Sequence, residues 1–115
     1  MNTIIVLSTV GSTKEATRIA KVIVEEKLAA CVNIIPGVTS LFYWEGKICQ
    51  EKEVILLIKT NEVQLNKIIN KIKYMHSYDL PEILYFRITG GEKKYLQWVK
   101  GAINKKNIDN EKPKR

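Results

Sequence analysis

Cysteine is scarce in this chain, as are most residues that mark specialised architectures. The two cysteines, Cys31 and Cys49, form no Cys-x-x-Cys pair. That excludes a disulfide framework and makes a reduced, cytoplasmic protein the expectation. Three prolines and six glycines are too few for a collagen-like or linker-like chain. No apolar run approaches the roughly 18 residues of a membrane-spanning helix. The opening stretch from Met1 to Ser8 has no basic region ahead of its apolar residues, so it reads as a strand and not as a leader. Nucleotide signatures of the GxGxxG or P-loop kind are absent, and so is the MxCxxC motif of metallochaperones.

What is present suits one folded domain, placed at residues 1–104: 45% of residues are apolar and 27% charged, enough for a single modest core. The net charge of +7 would suggest nucleic acid were it focused. However, the segment from Asn104 onward holds five basic and two acidic residues and so supplies +3 of it. Residues 105–115 are therefore expected to form a charged, frayed tail. The other cations, among them Lys14, Arg18, Lys21, Lys67, Lys71 and Lys73, fall on helix faces where lysine is ordinarily solvated. Neither a nucleic-acid nor a membrane partner is expected.

Thr3 to Val10 is a β-branched and apolar run closed by Gly11, which predicts a strand buried on both faces or nearly so. Ser12 with Glu15 has capping-box spacing, and Ala16, Ile19, Ala20, Ile23 and Val24 follow as one helical stripe. Cys31 to Trp44 reads as a second strand bulged at Pro36-Gly37. Ile48 to Thr60 returns as a third after the Glu45-Gly46-Lys47 turn. Asn61 and Gln64 offer another capping box before Leu65, Ile68, Ile69 and Ile72. Ile83 to Ile88 predicts a fourth strand, and Gly90-Gly91 opens a last helix with Tyr95, Leu96, Val99, Ala102 and Ile103 inward. The order is that of an α+β, ferredoxin-like βαββαβ fold with a long hairpin between strands two and three and a C-terminal helix.

Fourteen residues from Cys31 to Trp44 extend roughly 45 Å, at about 3.3 Å each. A domain of this size has a radius of gyration near 13 Å, so the strand overruns its own core. Its far end carries Leu41, Phe42, Tyr43 and Trp44, an aromatic edge prone to aggregation if bare. These four residues are expected at an interface between subunits. The alternative is a hairpin bent back on its own helices.

Several motifs are now in view: Leu28-Ala-Ala-Cys-Val-Asn-Ile34, Ser40-Leu-Phe-Tyr-Trp-Glu-Gly46, Glu51-Lys-Glu53 with Lys59-Thr60, His76-Ser-Tyr-Asp-Leu-Pro-Glu-Ile83, and Tyr95-Leu-Gln-Trp98. In this order, over about Ile4 to Ile103, the chain resembles the CutA divalent-cation-tolerance family. The resemblance implies a homotrimer of ferredoxin-like subunits whose hairpins pair across interfaces, comparable to the PII signalling proteins. It also implies a role in tolerance of divalent metals, copper in particular.

Thiolate, imidazole and thioether suit Cu(I), and the first two suit zinc, so Cys31, His76 and Met75 form the candidate metal set. Copper or another divalent metal is the only cofactor expected. Neighbouring subunits or water would have to complete the coordination. Some copper-binding relatives carry a cysteine where this chain has Ser8, and a second histidine where it has Met75. The competing reading makes Cys31 a small buried hydrophobe and His76 a hydrogen-bonded loop residue.

No enzyme is expected. Glu51 and Glu53 share a strand face, where carboxylates are commonly exposed or paired with lysine. The arginine loop of acylphosphatases has no counterpart in Thr9-Val-Gly-Ser-Thr13, and the first and third strands lack the paired aromatics of an RNA-recognition sheet. Two functions remain: a trimeric metal-tolerance protein, or a small-molecule or partner sensor of PII type without a physiological metal site.

Overall fold

The computed structural model describes residues 2–103. The expected tail at residues 105–115 lies outside them. The elements are β1 (Thr3–Val10), α1 (Thr13–Glu25), β2 (Cys31–Trp44), β3 (Lys47–Asn61), a 3-10 turn at Glu62–Gln64, α2 (Leu65–Met75), β4 (Ile83–Arg87) and α3 (Lys93–Ala102). The strands form one sheet in the order β2-β3-β1-β4, with every neighbouring pair antiparallel. β1 and β2 are thus parallel but separated by β3, the split arrangement of ferredoxin-like folds.

Antiparallel partners share a face, so the register sorts the side chains. Ile4, Val6, Ser8 and Val10 of β1 lie beside Thr60, Ile58, Leu56 and Val54 of β3. All eight are buried, and the apolar ones join Ala16, Ile19 and Ile23 of α1 and Ile68 and Ile72 of α2 in the core. The opposite face carries Ile5, Leu7, Ile55, Leu57, Leu84 and Phe86, only half-buried or exposed. β1 is therefore fully buried on one face, whereas on the second only Thr9 is buried and Thr3, Ile5 and Leu7 are half-buried, because the third helix reaches just the Thr3 and Ile5 end of it.

α1 begins as expected, with the Ser12 hydroxyl accepting from the Glu15 amide at 3.1 Å. The Glu15 carboxylate does not complete the capping box, because it is turned to Ser77. The helix ends in a Schellman closure: Leu28 N–H donates to Ile23 O and Lys27 N–H to Val24 O, both at 3.0 Å. Lys27 occupies the left-handed position, φ 58°, that glycine commonly fills. Val24 is exposed and leaves the expected stripe. Asn61 caps the second helical segment by accepting from Gln64 N–H at 3.3 Å, whereas the buried Gln64 Oε1 has no partner among the described residues. α3 starts at Lys93, three residues later than the glycine pair suggests, because Glu92 supplies the cap by accepting from Tyr95 N–H at 2.9 Å. Val99 and Ile103 are buried, Leu96 and Ala102 partly so, and Tyr95 is exposed.

The hairpin is as long as the sequence requires, and the longest dimension of the molecule is 52 Å. Glu45 and Gly46 form its two-residue turn with φ of 50° and 79°, the left-handed pair that matches strand twist. At Pro36-Gly37 the ladder steps from Ile35↔Ile55 to Val38↔Glu53, which inserts one extra residue into β2 with Gly37 at φ 78°.

Candidate functional site

The densest polar arrangement gathers where the loop after α2 returns across the end of β1. His76 follows the last turn of α2, its amide donating to Ile72 O at 2.8 Å. The side chain is fully buried. Its Nδ1 accepts from Tyr78 N–H at 3.0 Å, which obliges the proton to sit on Nε2, and Nε2–H donates to Thr9 O at 2.7 Å. The ring thus ties its own loop to β1 with both nitrogens.

Glu15 closes the loop from the α1 side, its carboxylate accepting from Ser77 N–H at 2.9 Å and from the Ser77 hydroxyl at 3.0 Å. Its Oε2 lies 3.7 Å from His76 Nδ1. Burial pushes the Glu15 carboxyl up, but the two Ser77 bonds, the nearby His76 ring and the Gly11 amide outweigh it, and the group is held below its ordinary range.

Tyr78 reaches the sheet, where its hydroxyl donates to Glu53 Oε2 at 2.9 Å. Burial, this bond and the charges of Glu53, Glu51 and Glu15 push the phenol up to about 12. Glu53 is buried and pairs with a tyrosine, not with the lysine expected of a hairpin carboxylate, while Glu51 stays exposed. Ser8, fully buried, donates to Glu82 O at 2.7 Å, and the Thr9 hydroxyl donates to the Glu82 carboxylate at 3.2 Å. These bonds consume the polar groups internally, so the loop at 76–82 is pinned at both ends. Sequence reasoning singled out His76 and saw Tyr78 and Glu82 within a motif. It missed Glu15, whose capping-box spacing concealed a long-range partner.

The three expected metal ligands occupy different settings. Met75 packs against the core and its carbonyl accepts from Arg18 Nη2 at 3.3 Å. Cys31 is a free, half-buried thiol on β2 opposite Lys59, on the second face of the sheet. His76 has no free lone pair in this arrangement, since Nδ1 is taken by Tyr78 and Nε2 carries its proton toward Thr9. The donor set does not fit a closed metal centre within one protomer. Among the described residues, no group of three or more His, Cys, Asp or Glu is arranged to hold a metal ion. Cys49 is also free, opposite Phe42 near the hairpin tip.

The four hairpin residues expected at an interface divide between two faces. Phe42 and Trp44 lie with Cys49 and Lys47, whereas Leu41 and Tyr43 lie with Gln50 and Ile48. Phe42 is 38% and Trp44 50% exposed, against 74% for Tyr43 and 72% for Ile48. The hairpin is not folded back onto its own helices.

A split-βαβ sheet with an overlong hairpin, an added C-terminal helix and a pinned loop before the fourth strand defines a class of small ferredoxin-like proteins. Within that class the chain belongs to the CutA family: the family model described as CutA1 divalent ion tolerance protein matches residues 4–102. The divalent-cation tolerance protein CutA of Thermus thermophilus is 44% identical over 96 residues, covering 84% of this chain and 93% of the relative. The chloroplastic protein CutA 1 of Oryza sativa is 44% identical over 99 residues, covering 86% of this chain. This chain spans 56% of that plant relative's length. The crystal structure of CutA1 from Oryza sativa superposes with a TM-score of 0.88 at 42% identity, covering 90% of this chain and 95% of that one. The Archaeoglobus fulgidus structure, named a periplasmic divalent cation tolerance protein, gives 0.82 at 41% identity, covering 84% of this chain and 94% of that one. No helix among the described residues is long and apolar enough to cross a membrane.

Proposed function

We propose that this chain acts in the response to divalent cations as a non-catalytic homotrimer, assembled through the second face of its sheet and the protruding hairpin. One observation carries the reading. Beyond the end covered by α3, Ile35, Leu84 and Phe86 are exposed on a face that continues, past the bulge, to Phe42 and Trp44. Apolar side chains exposed at both ends of one face, with Ser40, Glu51 and Glu53 between them, are a liability in a monomer and are ordinarily buried by association. Sedimentation equilibrium is the direct test. A mass three times that of the chain is expected, and a concentration-independent monomer would overturn the reading.

Copper binding enters as a weak, secondary property centred on the Cys31 thiol, completed by a neighbouring subunit or water. His76 is a structural residue in this reading. Titrating the reduced protein with Cu(I), Cu(II) and Zn(II), beside Cys31→Ser and His76→Ala, separates the roles: only the cysteine variant is expected to lose affinity. The second reading, a sensor of PII type with no physiological metal site, is favoured by the commitment of both His76 nitrogens to Thr9 and Tyr78. Unchanged metal affinity in both variants would select it. The cytoplasm is the proposed location, on the strength of two free cysteines. Relatives named for chloroplast and periplasm give fractionation a clear alternative outcome.

A further inference from the structure

A cavity of about 210 Å³ opens between α3 and the uncovered face of the sheet, away from the pinned loop. Its walls are apolar: Ile5 of β1, Ile88 after β4, and Leu96 and Val99 of α3, with the backbone of Gly90 and Gly91 at one side. A cavity of roughly 150 Å³ with such walls accommodates a benzene ring, so this one has room for a ring bearing a small substituent.

The cavity is not uniformly apolar, because Lys59 and Glu92 also line it. The two differ in availability. The Glu92 carboxylate caps α3 through the Tyr95 amide at 2.9 Å. The Lys59 ammonium has no carboxylate partner among the described residues and rests 5.8 Å from the centre of the Tyr95 ring. A cation–π contact at this range offsets only part of a missing counter-charge. A half-buried cation facing an apolar chamber is complementary to a ligand that brings a negative charge on a flat apolar body.

We propose that this cavity binds a small planar organic monoanion of the aromatic carboxylate class, its ring between the sheet and α3 and its carboxylate on Lys59. Tyr95 lends an aromatic edge to the same chamber, in contact with Trp98 at 5.7 Å between ring centroids. The proposal goes beyond the metal-tolerance reading and does not depend on it, since none of Cys31, Met75 or His76 lines the cavity.

The experiment is isothermal titration of the protein in its native assembly with benzoate, benzyl alcohol and benzylamine. Saturable binding of one benzoate per chain is expected, at least tenfold tighter than the neutral alcohol, with the amine weakest. Lys59→Met keeps the aliphatic stem and should reduce benzoate to the level of the alcohol. Val99→Phe should fill the chamber and weaken both. The comparison of benzoate with benzyl alcohol on the unmodified chain needs no variant and decides the matter if either variant fails to fold. Equal affinities for the two, or no saturable binding because a side chain of a second copy fills the chamber, would overturn the proposal.

Discussion

His76 and Thr9 are joined by a 2.7 Å hydrogen bond from a buried imidazole nitrogen to a backbone carbonyl, and this bond fixes where the loop after α2 meets β1. Together with the bond from the Tyr78 amide, it converts the one histidine of the chain into a structural tie.

His76→Ala removes both bonds at once and leaves the Tyr78 amide and the Thr9 carbonyl to find new partners. Each buried group left unpaired costs about 1 to 3 kcal/mol, so a loss of roughly 2 to 6 kcal/mol is expected as a lower urea midpoint. His76→Gln should recover part of it. A stable alanine variant whose copper affinity has dropped about tenfold or more, roughly 1.4 kcal/mol, would instead make the ring a metal ligand.

Glu15 yields a prediction in acid. Its carboxyl titrates below its ordinary value of 4.5 in the folded protein, so it releases its proton more readily folded than unfolded. The stabilisation is therefore complete above the unfolded value and is lost as the pH falls through the folded one. Melting temperatures of the wild type and Glu15→Gln should differ at pH 6 and converge as the pH falls through the lowered folded value. A gap that persists unchanged to pH 3 would assign the effect of Glu15 to packing alone.

Tyr78 carries the opposite sign. A phenol pushed up to about 12 keeps its proton longer in the folded state than in the unfolded chain. Its contribution is full below about pH 10 and is lost as the pH rises toward 12. Ultraviolet titration of the native protein should show one of its five tyrosines ionising last, and Tyr78→Phe should remove that step. A native titration completed at the ordinary tyrosine value would contradict the Glu53 pairing.

Trp44→Ala should weaken assembly. Large aromatics dominate packed interfaces, and truncating a buried one costs about 3 to 5 kcal/mol. Sedimentation at falling protein concentration is the readout, with dissociation expected earlier than in the wild type. Unchanged assembly and melting would place Trp44 outside the interface.

Lys27→Gly should stabilise the chain by about 0.5 to 1 kcal/mol, because glycine relieves the left-handed backbone that closes α1 while the Schellman bonds remain. Thermal melting decides it, and a lower melting temperature would mean that the lysine side chain contributes more than its backbone strain costs.

Much of the fold was legible because its signals are local. Alternating and β-branched runs marked the strands, helical spacing marked α1 and α2, and Pro36-Gly37 and Glu45-Gly46 marked the bulge and the turn. Helix ends were read less well where the cap was unconventional. Lys27 gave no stop signal at a position glycine usually holds, and Glu92 took over a start that Gly90-Gly91 had suggested. The polar loop was harder still, since Ser77 lies 62 residues from Glu15 and Glu53 lies 25 from Tyr78, and neither pairing leaves a periodic trace. Residue type alone proposed a metal role for His76. Only its hydrogen-bond partners reveal that the lone pairs are committed.

The extra residue at Pro36-Gly37 acts on the hairpin as a parity element. With it, Val38 pairs with Glu53 and the side chains beyond fall as Phe42 and Trp44 on one side, Leu41 and Tyr43 on the other. Were the ladder to run on from Ile35↔Ile55 without the bulge, Gly37 would face Glu53 and Val38 would face Lys52, and every side chain from Val38 outward would exchange sides. The bulge lies several residues from the tip and touches none of its aromatics in the ladder. It nevertheless encodes which pair of them the hairpin offers to whatever it meets, so a one-residue slip of register there would rewrite that surface without changing a single residue in it.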